Sequence, residues 1–277
     1  MPCAICNDSG WKTIERDGRS VVARCDCWRQ ESATRLLGAA RIPKRYQHCD
    51  LPTFVTYDNE SLDEALVQAR RFADAFPVVD RGLFLLGPPG VGKTHLAVAV
   101  LKQVVMTRGA RGLFYDTRDL LRVIRSTYDP IVRTTEFEVL RPVMDVDLLV
   151  LDDLGAEKTS EWVEETLNLI VNTRYNERRT TIFTSNYDDN PDETDMNSLR
   201  CRIGERMRSR LHEMCDFLYL DGADYRELPK NGGARDLAIL WKTRRKALPP
   251  RAGKPARAQL RGDGKDDLKW PGGRAGS

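Results

Sequence analysis

No stretch of the 277-residue chain approaches 18 uninterrupted apolar residues, so no membrane-spanning helix is expected. The opening residues, MPCAICNDSG, contain neither a basic run nor an apolar stretch, which argues against a secretory signal. These two absences give the expectation of a cytoplasmic protein with no membrane partner. No segment recurs at a fixed period. Beyond the run LAILW, residues 229–277 have few aliphatic side chains and are rich in Gly, Pro, Lys and Arg. Most of that tail is therefore expected to be disordered, because it lacks the apolar surface that ordering requires.

What the chain does contain is ordinary for a soluble globular protein, with 41% hydrophobic and 31% charged residues. Its net charge of +3 hides an asymmetry. Residues 229–277 carry 13 Lys and Arg against 4 Asp, a net +9, whereas residues 1–228 carry 31 basic and 37 acidic groups, a net −6. A basic tail on a mildly acidic body suits an acidic partner such as nucleic acid, although a merely solvated tail has the same composition.

Seven cysteines would suggest disulfides in a secreted chain, but a cytoplasmic compartment keeps thiols reduced. Four of them lie before Trp28. Cys3-x-x-Cys6 is followed, after 18 intervening residues, by Cys25-x-Cys27. Two close pairs separated by a hairpin-sized insert suit a tetrahedral Zn²⁺ held by four thiolates, with no open catalytic position. The insert WKTIERDGRSVVAR has Asp17-Gly18 between alternating halves, which is a hairpin signal. A redox CxxC is the competing reading, and no βαβ pattern surrounds this one. Cys49, Cys201 and Cys215 are scattered and read as inert.

Four segments follow from these patterns. Residues 1–30 form the zinc-ribbon-like module. Residues 31–58 form a connector, with a short helical stretch around Ala33 to Ala40 and breaks at Pro43 and Pro52. Residues 59–228 alternate strands with helices, the pattern of an α/β domain with a parallel sheet, and residues 229–277 form the tail. Every strand that reaches a polar motif does so at its C-terminal end, the edge where open parallel sheets place their sites.

The string GPPGVGKT, comprising Gly87, Pro88, Pro89, Gly90, Val91, Gly92, Lys93 and Thr94, fits G-x-x-x-x-G-K-[ST] without mismatch. It follows the strand GLFLL and opens a helix at His95, the context a phosphate-binding loop requires. Glycines let backbone N–H groups turn inward around phosphate oxygens, and the helix N-terminus adds its positive dipole end. Lys93 is expected to reach the β- and γ-phosphates of ATP, and the Thr94 hydroxyl to coordinate Mg²⁺. A glycine-rich turn without a ligand is the bland alternative.

Downstream, LLVLDDLG delivers Asp152 and Asp153 from an apolar strand. Asp152 suits the Mg²⁺ side of the phosphates, and Asp153 the position of a general base. A solvated acidic turn would look similar in isolation. Asn186 ends the next strand, in TSN, where its amide could hydrogen-bond the attacking water, although Asn after a strand is also ordinary turn chemistry. In RIGERMRSRL, Arg202, Arg206 and Arg210 recur at i, i+4 and i+8 and are expected to share one helix face. That face is either solvated or presents an arginine to a neighbouring subunit's γ-phosphate.

Taken in this order, the four elements resemble the DnaC/IstB-type AAA+ ATPases, which include replicative-helicase loaders and insertion-sequence transposition helpers. The strings that carry the resemblance are GPPGVGKTHLAVAV, LLVLDDLGAE, VNTRYNERRTTIFTSN and RMRSRL, together with the lead-in ARIPKRYQHCDLPTF. It covers roughly residues 39–228 and implies a P-loop NTPase fold of the AAA+ type. By resemblance, Lys93 and Thr94 are the Walker A pair, Asp152 the Mg²⁺ acid and Asp153 the catalytic acid of a double-aspartate form. Asn186 would be sensor I, Arg210 the arginine finger with Arg206 its competitor, and Arg226 in the DYR string a sensor II-like contact.

Three functions are open at this point. The first is a helicase loader, an ATPase binding a replicative helicase and single-stranded DNA; an N-terminal zinc module that contacts the helicase occurs in some loaders. The second is a transposition helper assembling on duplex DNA with a transposase. The third is a zinc-ribbon adaptor with a non-hydrolysing ATP site. The resemblance also implies an ATP-dependent homo-oligomer with sites between subunits. With no base-reading element in the sequence, any DNA contact is expected to be non-specific and salt-sensitive. Deleting the basic tail should therefore weaken DNA binding measured by fluorescence anisotropy at low salt; unchanged affinity would make the tail a bystander.

Overall fold

A computed structural model describes residues 3–16, 18–157, 160–190, 195 and 198–247. Asp17 of the expected hairpin turn lies outside them, as does the part of the tail from residue 248 onward that is expected to be disordered.

Among the described residues the central feature is a five-stranded parallel sheet. Its strands are β3 (Gly82–Leu86), β4 (Gly112–Asp116), β5 (Leu148–Asp152), β6 (Thr180–Ser185) and β7 (Cys215–Tyr219), in the order β4-β5-β6-β3-β7. GLFLL and LLVLD are buried at every position, as expected for strands covered on both faces by crossover helices. The crossover from β3 passes over β6 and β5 to reach β4 at the edge. The C-terminal ends of β3, β5 and β6 consequently lie side by side, where chain direction across the sheet reverses.

One face of the sheet is covered by α2 (Glu60–Ala75) and α3 (Lys93–Arg108), with Leu96, Leu101 and Val104 fully buried. Gly109 ends α3 in the left-handed conformation, at φ 64°. The other face carries α4 (Thr117–Ser126), α5 (Glu136–Asp145) and α6 (Glu161–Asn176). α5 contains Pro142, which reads as a breaker in the sequence. It persists because Thr135 and Glu138 form a capping box at its start. At its far end Arg174, 1% exposed, donates to the carbonyls of Val143, Met144 and Val146, and also to Thr180 O and Thr181 Oγ1. One buried guanidinium thus satisfies the C-terminus of α5 and the start of β6 together.

Four expectations change. The expected boundary at residue 30 falls inside α1 (Asp26–Ala39), which begins at Cys25 and runs into the connector. The connector is part of the core: Cys49, Leu51, Phe54 and Tyr57 are buried in the same cluster as α2 and α3, and Phe114 N–H donates to Ala40 O at 2.8 Å. The run LAILW belongs to α9 (Ala234–Ala247), with Leu237 1% exposed in that cluster and Arg244 donating to Gly222 O. The helix forms because its apolar residues recur at helical spacing and find a surface to cover.

The fourth change is at the arginines. Gly204, at φ 78°, separates α7 (Leu199–Ile203) from α8 (Glu205–Met214). Arg202 therefore does not share a helix face with Arg206 and Arg210. Its guanidinium instead lies over the ring of Tyr187, 4.6 Å from the centroid.

Near the N-terminus β1 (Trp11–Arg16) and β2 (Arg19–Arg24) pair antiparallel, with Arg16 opposite Arg19, so the expected hairpin is present with a two-residue connection that includes Gly18 at φ 71°. No helix among the described residues is long and apolar enough to cross a membrane. The placement of α9 carries a test. Leu237→Ala should lower stability by about 2–4 kcal/mol, read as a clear drop in Tm by circular dichroism. An unchanged Tm would detach α9 from the core, and tail deletions should accordingly be cut after Ala247.

Candidate nucleotide and metal sites

The loop from Gly87 to Gly92 joins β3 to α3, and its backbone requires glycine. Gly87, Gly90 and Gly92 have φ of 145°, 79° and 101°, where a Cβ is strained. Neighbouring atoms, one of backbone and one of a side chain, add a second constraint. A Cβ on Gly87 would stand 1.9 Å from Leu220 O, and one on Gly90 1.7 Å from Asp224 Oδ1.

Lys93, the first residue of α3, is 7% exposed and donates from Nζ to Gly87 O (2.7 Å), Pro88 O (2.8 Å) and Asn186 Oδ1 (2.7 Å). Burial lowers its pKa to about 8, against the pull of Asp152 and Asp153. Thr94 Oγ1 donates to Asp152 at 2.8 and 3.1 Å. Burial raises the Asp152 carboxyl to about 6, in spite of hydrogen bonds from Thr184 and Thr94. Asp153 also lies above its ordinary value, chiefly through burial, which outweighs Arg118, Lys93 and a 2.6 Å bond from Asn186 Nδ2 to its Oδ1.

The structure thus joins Lys93, Thr94, Asp152, Asp153 and Asn186 in one connected cluster. Two members escaped the sequence reading. Thr184 donates to Asp152 Oδ1 (2.7 Å) and accepts from Asp153 N (2.9 Å), and Thr117 donates to Asp152 O (2.8 Å). The string TSN contained Thr184, but its hydroxyl could not be aimed without knowing that β6 lies beside β5.

Other expected residues sit at varying distances from this cluster. The His95 ring faces the connector, within 3.2 Å of Asp50 O and 3.3 Å of Thr53 Oγ1, and meets Phe54 edge-on. Its imidazole therefore docks the lead-in segment rather than lining the phosphate loop, which leaves only its backbone N–H on the helix N-terminus. Arg226 is exposed in the turn Tyr225–Glu227, whose Tyr225 N–H donates to Gly90 O at 3.0 Å. Arg226 is near enough for its charge to lower the Lys93 pKa. Arg206 and Arg210 lie on α8, in a cleft of about 450 Å³ shared with Glu161, Glu164 and Glu165 of α6. Among the described residues, no hydrogen bond or ion pair links either arginine to the phosphate loop.

The donor set fits a nucleotide triphosphate with a hard divalent cation. The loop and the N-terminus of α3 offer N–H groups and an ammonium to phosphate oxygens. Beside them, a hydroxyl and a carboxylate supply the oxygen ligands that Mg²⁺ prefers.

The cysteines form a second cluster. Sγ atoms of Cys3, Cys6, Cys25 and Cys27 all lie within 4.8 Å of one another, with Cys3–Cys25 at 3.8 Å and Cys6–Cys27 at 3.2 Å. Four sulfurs around a tetrahedral ion with 2.3 Å bonds would stand about 3.8 Å apart. The tight C-x-C spacing works because Cys25 precedes α1 in extended backbone and Cys27 lies in its first turn, so the chain bends between them.

Comparison with known proteins agrees with this geometry. Residues 15–231 match the family model of IstB-like ATP binding proteins. The replicative helicase loader DnaC of Escherichia coli (strain K12) is 27% identical over 177 residues, covering 64% of this chain and 68% of that protein. The phage-like element PBSX protein XkdC of Bacillus subtilis (strain 168) is 25% identical over 235 residues, covering 80% and 84%. A crystal structure of the DnaC helicase loader superposes with a TM-score of 0.57 at 37% identity, covering 64% of this chain and 99% of that one. With its phosphate loop, paired aspartates and five-stranded parallel sheet, the chain belongs to the IstB-like ATP binding family and is an AAA+ ATP hydrolase.

Proposed function

We propose that this ATPase binds a replicative DNA helicase and loads it onto single-stranded DNA in the cytoplasm. The observation that carries this reading is the fusion of a four-cysteine module to an ATPase body similar to DnaC over 177 residues. ATP would sit on residues 87–94, with Lys93 Nζ turned to the β- and γ-phosphates and Arg226 near them. Thr94 and Asp152 would hold Mg²⁺, which would supply neutralisation of developing phosphate charge. Asp153 accepts the proton of the attacking water, and Asn186 orients that water through the amide that now bonds Asp153. Arg210, with Arg206 beside it, acts on the site of a neighbouring subunit, which makes the working form an ATP-dependent homo-oligomer. The cysteine cluster holds a structural Zn²⁺. The basic tail supplies non-specific DNA contact.

A second reading, a transposition helper on duplex DNA that directs a transposase, is favoured by the IstB-like family model itself. A transposase gene directly beside this one would support it.

Lys93→Ala should reduce ATP turnover by roughly 100-fold or more, because it removes a charged donor to the transferred group. The same variant should abolish ATP-dependent self-association in sedimentation and helicase loading onto DNA. Wild-type protein that neither binds a replicative helicase nor changes its loading sinks the loader reading, and full function in Lys93→Ala would favour an adaptor with a silent ATP site. For the metal, purified protein should contain one Zn per chain by elemental analysis, and Cys25→Ser should lose it. Retention of stoichiometric metal in that variant would remove the four-thiolate assignment.

A further inference from the structure

Arg118 is the second residue of α4, and its place is set by two contacts of the residues before it. Thr117 Oγ1 donates to Asp152 O at 2.8 Å, tying the start of α4 to the end of β5. Asp116 caps the helix, accepting from Arg118 N at 2.9 Å and Asp119 N at 3.2 Å. From there the guanidinium reaches across the turn that follows β5. Its Nη2 donates to Ala156 O at 3.2 Å and stands 4.0 Å from Asp153 Oδ2, while Nε stands 4.0 Å from Glu157 Oε1.

Asp153 itself is in an unusual state. It has φ of 57°, the left-handed region that residues with a Cβ rarely occupy. Its N–H is held by Thr184 Oγ1 at 2.9 Å and its Oδ1 by Asn186 Nδ2 at 2.6 Å. The second oxygen faces Arg118. Three further charges act on this carboxylate: Asp116 and Asp152 repel it, and Lys93 attracts it. Lys93 is committed to the carbonyls of the phosphate loop and to Asn186, so the cation on the open side is Arg118.

We propose that Arg118 is a positioning residue for Asp153: its guanidinium sets the direction of Oδ2 and holds the turn from 153 to 157, so that the carboxylate meets the attacking water. The proposal rests on the reading of Asp153 as the proton acceptor. Arg118 is half exposed, and ion pairs of that kind add little to stability. Loss of the side chain therefore appears in turnover rather than in folding.

The test uses the full chain with ATP and Mg²⁺. Arg118→Gln should lower kcat roughly tenfold through lost orientation of the base, with KM for ATP and Tm unchanged. Arg118→Lys, which keeps the charge without the fork, should recover most of the loss. Asp153→Asn should be nearly inactive, and Arg118→Gln added to it should cost nothing more, because a residue acting only through Asp153 has nothing left to position. Wild-type kcat in Arg118→Gln overturns the proposal even if Asp153→Asn is inactive, and so does a raised KM at unchanged kcat or a multiplicative loss in the double variant. Full turnover in Asp153→Asn removes the base reading, and this proposal with it.

Discussion

The carboxylate of Asp152 is the joint on which the nucleotide site hangs. It ends β5, accepts the hydroxyls of Thr94 from α3 and Thr184 from β6, and its own backbone carbonyl takes Thr117 from α4. Four elements meet at one buried residue. The Thr94 and Thr184 hydroxyls offset part of the cost of burying a carboxylate, and each of the three fixes one element relative to the others. The register of β5 against β6, with Leu151 opposite Phe183, then brings Asp153 within reach of Asn186. A slip of one residue in either strand would turn that strand's side chains to the other face.

The same end of the sheet was the most legible part of the sequence. Gly87 to Thr94, the paired aspartates and Asn186 are short contiguous strings whose chemistry follows from residue type and from the strand before them. What escaped depended on neighbours distant in sequence. Thr184 gains meaning from β5, 31 residues away in its bond to Asp153, and Arg118 from the turn it reaches across. α5 was hidden by Pro142, whose cost is offset by a capping box and by Arg174. The strand β7, with its mixed string CDFLY, is half exposed at the sheet edge, so it has no apolar run to mark it.

The arginines show how one glycine alters a periodic reading. The spacing of Arg202, Arg206 and Arg210 predicts a common face only if the helix is continuous. Gly204 breaks it, and the first of the three leaves to stack on Tyr187. The remaining pair stays together on α8, where Arg210 Nη1 donates to Arg206 O. Arg208, between them, faces the other way and binds Asp189, as does His212. That pairing ties α8 to the loop that follows Asn186.

The position of α1 has a mechanical consequence. Its first turn carries Cys27 and its last residue is followed by Ala40, whose carbonyl is bonded to the middle of β4. Fourteen residues of helix span about 21 Å. A flexible linker dissipates torque over its length, whereas a helix passes it on. The cysteine module is therefore joined to the ATPase body by one continuous helix, which packs against α3 and ends beside the strand from which Thr117 and Arg118 leave.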